Sequence, residues 1–129
     1  MRVLLDTHVF LWWASERGGR LSQRVRDLLA DGATEVAFSV ASAWEIAIKV
    51  GAGRMELPDD VRRYVPDRLR HHGFELMPIE LSHAFRAGLL PPIHGDPFDR
   101  MLVAQGQVEE LPIVTADPAI TRYDVETIW

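Results

Sequence analysis

The stretch Arg2-Val3-Leu4-Leu5-Asp6-Thr7-His8-Val9-Phe10-Leu11-Trp12-Trp13 carries the pattern that organises this chain. Its short apolar run, Arg2–Leu5, predicts a buried strand, which ends at the acidic Asp6. The apolar residues 9–13 predict a helix that is largely covered, and Gly18-Gly19 is expected to end it. A strand, a carboxylate and a helix therefore follow one another at the start of the chain.

This alternation of strand and helix continues. Further strands are predicted at residues 36–38, 74–78 and 112–115, and residues 125–129 are expected to form an edge strand or a tail. Helices are predicted at residues 22–30 (capped by Ser22), at 39–50 (capped by Ser39), in one or two segments after Pro58 with a break near Pro66, at 82–89 and at 96–108. Repeated β–α alternation predicts an α/β fold with a parallel sheet between helices.

Length and composition fit one domain over residues 1–129, with 47% apolar residues to fill its core. The lack of cysteine excludes disulfides, thiolate nucleophiles and cysteine-type zinc sites, and it agrees with a reducing, cytoplasmic compartment. Asp6 interrupts the first apolar run too early for a signal peptide, and no stretch approaches about 18 consecutive apolar residues, so no membrane segment is expected. The net charge of −5 argues against a protein that coats nucleic acid through positive charge alone.

Four carboxylates lie at the edges of predicted strands and helices, namely Asp6, Glu45, Asp99 and Asp117. In parallel α/β sheets the carboxyl ends of the strands border a crevice, so side chains from distant segments can meet there. The helix that contains Asp99 is expected to be capped by Asp96, with Pro97 at its first position. The sequence therefore predicts one divalent-metal site assembled from distant segments.

Carboxylates that converge need a cation or protons. Two like charges about 4 Å apart repel each other by on the order of 4 kcal/mol at an effective dielectric of about 20. Ligands that are all oxygen, without cysteine or a histidine pair at ligand spacing, favour Mg²⁺ or Mn²⁺ over zinc. Such a centre suggests hydrolysis of phosphodiester bonds by metal-activated water.

Four segments, in this order and at this spacing, also carry a family resemblance that extends over nearly the whole chain. They are Leu4-Leu5-Asp6-Thr7-His8-Val9-Phe10-Leu11-Trp12, Ser42-Ala43-Trp44-Glu45-Ile46-Ala47-Ile48-Lys49, Asp96-Pro97-Phe98-Asp99-Arg100-Met101-Leu102-Val103-Ala104-Gln105 and Val114-Thr115-Ala116-Asp117-Pro118. The chain resembles the PIN-domain ribonucleases, and among these it is most similar to the VapC-type toxins of bacterial toxin–antitoxin systems. The resemblance implies a PIN-like three-layer α/β/α sandwich with a short, mainly parallel central sheet.

The resemblance also implies an activity. It implies a homodimeric endonuclease for single-stranded RNA that needs Mg²⁺ or Mn²⁺ and is held inactive by a cognate VapB-type antitoxin. By position, the family's catalytic, metal-binding carboxylates match Asp6, Glu45, Asp99 and Asp117, and its small hydroxyl residues near the metal match Ser39 and Thr115. The chain departs from the family pattern at Ala116, where a basic or polar residue is common, and at Ile120, where phenylalanine is usual.

The residues also allow other interpretations. Asp6 can serve as a helix cap, and Asp99 can act through its charge near a helix N-terminus. Arg54, Arg62 and Arg63 could line an RNA groove, but acidic residues interleave with them, as on a solvated face. A catalytically silent PIN-like binding module is one alternative to a nuclease, although it would have no reason to keep four carboxylates. A receiver-type phosphoacceptor domain is another, but the chain lacks its paired aspartates before the first helix and its late strand-end lysine.

Overall fold

The computed structural model describes residues 1–15 and 18–129. Its strands are β1 (Arg2–Leu5), β2 (Glu35–Ser39), β3 (Glu75–Met77), β4 (Ile113–Val114) and β5 (Thr127–Ile128). They form one sheet in the order β3-β2-β1-β4-β5, and every pairing is parallel. The central strand is β1, whose Leu4 lies opposite both Ala37 and Ile113. The predicted parallel α/β fold is confirmed, and residues 125–129 do supply an edge strand.

The helices lie between the strands in sequence. They are α1 (Thr7–Ala14), α2 (Gln23–Ala30), α3 (Val40–Gly51), α4 (Val61–His72), α5 (Leu81–Gly88), α6 (Pro97–Glu109) and the short α7 (Pro118–Thr121), with a 3-10 turn at Gly18–Arg20. Ser22 and Ser39 cap α2 and α3 as predicted, because each side chain accepts a backbone N–H of the first turn. Among the described residues, no helix is long and apolar enough to cross a membrane.

Alternate residues of the central strand face opposite sides of the sheet, as the two-residue period of a strand requires. Val3 and Leu5 belong to one apolar cluster, together with side chains of α1, α2, α3 and α4. Leu4 belongs to a second cluster, together with side chains of α6 and α7. Both faces of the sheet are therefore covered, which gives the three layers of an α/β/α sandwich.

Two local predictions need correction. The helix after Pro58 is not broken near Pro66, since α4 continues through this proline. A proline inside a helix removes one backbone hydrogen bond and costs roughly 3 kcal/mol, but Tyr64, Val65 and Leu69 are buried on both sides of it. Their packing holds the helix together. The second correction is α7, which was not predicted because its four residues are too few for a helical period.

Candidate active site

Asp6 lies at the carboxyl end of β1, where its carboxylate is held by the neighbouring strand. The residue is only 7% exposed, and Thr115, directly after β4, donates its Oγ1 hydrogen to Asp6 Oδ2 at 2.8 Å. The pairing of β1 with β4 brings these two residues together across the sheet. Asp6 occupies the N-cap position of α1, yet its side chain makes no capping hydrogen bond. The alternative that Asp6 serves only as a helix cap is therefore not supported, because its carboxylate does not cap α1.

Asp117 follows the same strand end two residues later. Its backbone N–H donates to Thr115 Oγ1 at 3.0 Å, and its own Oδ1 caps α7 by accepting the N–H of Ala119 at 2.9 Å. Thr115 therefore links the two carboxylates, because it donates to Asp6 and accepts from Asp117. A cap role commits one oxygen of Asp117, which leaves the other for a ligand.

Glu45 is buried on α3 and has partners within the protein. Thr7 Oγ1 lies 2.7 Å from Glu45 Oε1, and Lys49 Nζ lies 3.0 Å from Oε2 in an ion pair one helical turn away. Thr7 Oγ1 also lies 2.8 Å from Ser42 Oγ. Since a hydroxyl carries one hydrogen, Thr7 donates to the carboxylate and accepts from Ser42. The negative charge of Glu45, 7% exposed, is therefore already balanced by Lys49.

Ser39, the residue matched to a small hydroxyl near the metal, is fully buried and serves as the cap of α3. Its Oγ accepts the N–H of Ala41 at 3.0 Å. The hydroxyl that contacts Glu45 is that of Thr7 instead. Of the two matched hydroxyl residues, only Thr115 touches one of the four predicted carboxylates.

Asp99 lies in the first turn of α6, and its side chain is 12% exposed. Asp96 caps this helix, accepting the N–H groups of Phe98 and Asp99 at 2.8 and 3.2 Å on Oδ1. On its other side, Asp99 Oδ2 lies 3.0 Å from His94 Nε2. The start of α6 thus brings two carboxylates and an imidazole together.

Burial and the repulsion of like charges raise the pKa of two carboxyls, those of Asp99 and Asp6. Burial, followed by the negative charges of Asp96 and Asp6, raises the pKa of Asp99 to about 7, with Asp117 adding to the effect and the His94 hydrogen bond opposing it. Burial also raises the pKa of Asp6, against the hydrogen bond from Thr115. These mutual effects place Asp6, Asp96, Asp99 and Asp117 in one electrostatic environment at the carboxyl edge of the sheet.

The donors at this edge of the sheet suit a divalent cation. Among the described residues, one cluster can offer three ligand atoms within 4.8 Å of one another: His94, Asp96 and Asp99. Asp6, Glu45 and Asp117 lie outside it. This cluster adds an imidazole nitrogen to two of the carboxylates at the start of α6. Carboxylates with an imidazole fit Mn²⁺ well and do not exclude Mg²⁺, and a cation there would relieve the repulsion that raises the pKa of Asp99.

A cavity of about 260 Å³ opens beside Asp6 and Asp117. His8, Trp12 and Ala116 also line it, so the two carboxylates are accessible from solvent along one side. A larger cavity of about 860 Å³ lies between α1 and α4 and contains none of the four predicted carboxylates. The candidate site is therefore selected by its carboxylates and not by the volume of the cavity.

The arginines proposed for RNA lie elsewhere on the surface. Arg62 pairs with Asp60 and Arg63 with Asp59, both at 2.9 Å, at the start of α4. Arg54 is exposed in the turn after α3. The two pairs match the solvated face that the interleaved acidic residues suggested.

Sequence reasoning missed four residues that shape the site: Thr7, Ser42, Lys49 and His94. A signal existed for two of them, because Ser42, Glu45 and Lys49 are spaced by three and four residues and so share one helix face. Nothing in the local pattern indicated that His94, in a loop rich in proline and glycine, would reach Asp99.

Comparison with known proteins agrees with this geometry. Residues 3–126 match the PIN domain family. The chain is 39% identical to "Ribonuclease VapC16" of Mycobacterium tuberculosis over 62 residues, which are 48% of this chain and 43% of that protein. The match thus spans less than half the length of the relative.

Solved structures share the fold over nearly the whole chain. The crystal structure of VapBC2 from Rickettsia felis bound to a DNA fragment from its promoter has a TM-score of 0.72 at 15% identity, covering 99% of this chain and 98% of that one. VapBC-5 from Mycobacterium tuberculosis has a TM-score of 0.63 at 22% identity, covering 98% and 97%. With the match over residues 3–126 and the three-layer fold in agreement, the chain belongs to the PIN domain family.

Proposed function

We propose that this protein is an endoribonuclease toxin of the VapC type, which hydrolyses phosphodiester bonds of RNA with the help of Mg²⁺ or Mn²⁺. The observation that carries the proposal is the group of carboxylates at the carboxyl edge of the sheet, where burial and like charges raise the pKa of Asp99 to about 7. A protein gains nothing in stability from such repulsion, so its presence argues for a function. The likeness to a relative named as a ribonuclease supports the same activity.

Each residue of the site has a role in this proposal. Asp6, Glu45, Asp99 and Asp117 are the catalytic and metal-binding carboxylates, and Asp96 adds charge while it caps α6. Thr115 orients Asp6, and the Thr7 hydroxyl and Lys49 orient Glu45. Asp99 must lose its proton before it can act as a ligand. A bound divalent cation supplies a Lewis acid that offsets charge on the phosphate and makes a nearby water more acidic.

The reaction adds water across one P–O bond of the RNA backbone. A strand can approach along the open side of the cavity next to Asp6, where the exposed His8 also lines the cavity. The net charge of −5 does not attract RNA over long distances, so binding depends on local contacts and on the cation. Arg54, Arg62 and Arg63 are proposed as additional backbone contacts.

The partners follow from the family. We propose a cognate VapB-type antitoxin, since solved structures with this fold are described as VapBC and other toxin–antitoxin complexes. We also propose a homodimeric assembly, which the resemblance to VapC-type toxins implies, and a cytoplasmic location, which agrees with the lack of cysteine. An antitoxin that covers the cavity beside Asp6 would block RNA without changing the fold.

One observation favours a second candidate, a catalytically silent PIN-like module that only binds another protein. Glu45 is neutralised by Lys49, and Asp6, Glu45 and Asp117 lie outside the cluster that can hold one cation. The raised pKa of Asp99 argues against this candidate. In a module without catalytic activity, replacing one of the buried carboxylates by a neutral residue would remove the repulsion at no functional cost.

The test is induced expression in a bacterial host of the wild type, of Asp99→Asn and of the control Asp124→Asn, which changes an exposed aspartate. Growth and newly formed RNA ends are measured across the transcriptome. We expect growth arrest and sharp new ends with the wild type and the control, and neither with Asp99→Asn. Full activity of Asp99→Asn, at matched protein levels, would contradict the assignment of Asp99, and purified wild type that neither binds Mn²⁺ nor cuts RNA would favour the silent module.

A further inference from the structure

His94 lies in the loop between α5 and α6, and the side chain of Arg100 fixes this loop. The guanidinium donates to four backbone carbonyls at 2.9 to 3.4 Å, those of Ala87, Leu90, Pro91 and His94. The Tyr123 hydroxyl donates to the same carbonyl of His94 at 3.2 Å. Two side chains from different elements therefore hold the backbone of His94 in one place.

These hydrogen bonds indicate a structural role for Arg100. Both terminal nitrogens of its guanidinium already donate to backbone carbonyls, so little of the group remains for a phosphate. Although Arg100 follows Asp99 directly and lies in one of the four segments that carry the family resemblance, its contacts are those of a structural residue. What it holds in place is the histidine.

The ring of His94 points from this fixed backbone to a carboxylate. Its Nε2 lies 3.0 Å from Asp99 Oδ2. Asp99 must be ionised to hold a cation, and an ionised carboxylate can only accept hydrogen bonds, so in that state the hydrogen shared by this pair is on Nε2. Asp99 is 9% exposed, and its second oxygen has no such donor among the contacts of the described residues.

We propose that His94 is a positioning residue of the cation centre: its Nε2–H holds Asp99 Oδ2 and thereby orients the other oxygen of Asp99 towards the cation. The inference rests on the proposed function, since it assumes that Asp99 is a ligand. Residues that hydrogen-bond to metal ligands fix the ligand orientation before the metal arrives, and losing one typically weakens metal affinity by about 10- to 100-fold. We therefore expect His94 to strengthen cation binding without being a ligand itself.

The experiment measures Mn²⁺ affinity of the purified full chain by the loss of the free-ion signal in electron paramagnetic resonance. The variants are His94→Ala, which removes the donor, and His94→Gln, whose amide can donate from a similar place. His71→Ala is the control, because His71 is exposed at the end of α4, far along the chain from the site. Thermal melting without metal establishes that each variant is folded.

We expect His94→Ala to bind Mn²⁺ at least about tenfold more weakly than the wild type, His94→Gln to recover most of that loss, and His71→Ala to bind like the wild type. Equal affinity of His94→Ala and the wild type would overturn the inference and leave the proposed function intact. Equal loss in the Ala and Gln variants, or nitrogen coupling from a directly bound imidazole in the pulsed spectrum, would also overturn it. A wild type that binds no Mn²⁺ would overturn both.

Discussion

Replacing Asp99 by asparagine should make the metal-free protein more stable and at the same time abolish its activity. The pKa of this carboxyl rises from 3.8 in the unfolded chain to about 7 in the folded protein. The folded state therefore binds more protons between these two pH values, so stability is fully present below about pH 4 and falls as the pH rises to about 7. Asparagine has nearly the same shape and no charge, so it avoids this loss.

The size of the effect follows from the same shift. A rise from 3.8 to about 7 corresponds to at most about 4 kcal/mol of the free energy of unfolding. Solvent that reaches the carboxylate screens part of this, which leaves about 2 kcal/mol at pH 8. For a chain of this size that amounts to about 8 °C in melting temperature.

The assay is thermal unfolding of the wild type and Asp99→Asn at pH 4, 5, 6, 7 and 8, with all divalent cations chelated. The two proteins should melt at similar temperatures at pH 4 and separate progressively between pH 4 and about 7, with the variant higher. Part of the pH dependence remains in both, since the pKa of Asp6 is raised as well. The control Asp124→Asn should follow the wild type.

Excess Mn²⁺ should reverse the order, because a ligand at about 100 times its dissociation constant adds about 2.7 kcal/mol to the protein that binds it. Asp99→Asn should gain much less. A variant that melts below the wild type at pH 8 without metal, or two parallel pH profiles, would refute the argument that repulsion and burial destabilise the ionised Asp99.

Other replacements test the remaining contacts. Thr115→Val should cost about 1–3 kcal/mol in urea unfolding, because it leaves the buried Asp6 carboxylate without its donor; a loss below about 0.5 kcal/mol would mean that water replaces the hydroxyl. Lys49→Ala should destabilise the fold by about 1–3 kcal/mol, and adding Glu45→Gln should restore most of this, since the buried charge is then gone too; no recovery in the double variant would show that Lys49 acts through packing. Replacing Arg62 and Arg63 together by alanine should weaken RNA binding and reduce the slope of log affinity against log salt by up to about 1.4, and an unchanged slope would assign both to the ion pairs with Asp60 and Asp59.

Local signals in the sequence were sufficient for most of the fold. Short apolar runs identified the strands, and Ser22, Ser39 and Asp96 cap the helices that their positions predicted. The prediction failed at Pro66, where the helix continues although proline disfavours a helix interior. The packing of the buried residues around Pro66 outweighs this local cost. The prediction also missed α7, whose four residues are held by a proline and the cap of Asp117.

The candidate site was predictable in its carboxylates but not in the groups that hold them. Strand ends and motif spacing singled out Asp6 and Asp99, and the structure finds both buried at the same edge of the sheet. The ion pair of Glu45 with Lys49 could have been inferred from their spacing on one helix. The contact of His94 with Asp99 could not, because the position of His94 depends on hydrogen bonds from Arg100 to an irregular loop, and no local pattern encodes them.

The order of the strands has a consequence for how this protein is made. The hydrogen bond that fixes Asp6 comes from Thr115, 109 residues later in the chain. During synthesis, β1 emerges from the ribosome first, but it lacks its β4 neighbour until nearly all of the described chain has followed. Contacts of such long sequence separation form late and slowly. During synthesis, therefore, Asp6 lacks the hydrogen bond that holds its carboxylate until Thr115 has been added to the chain.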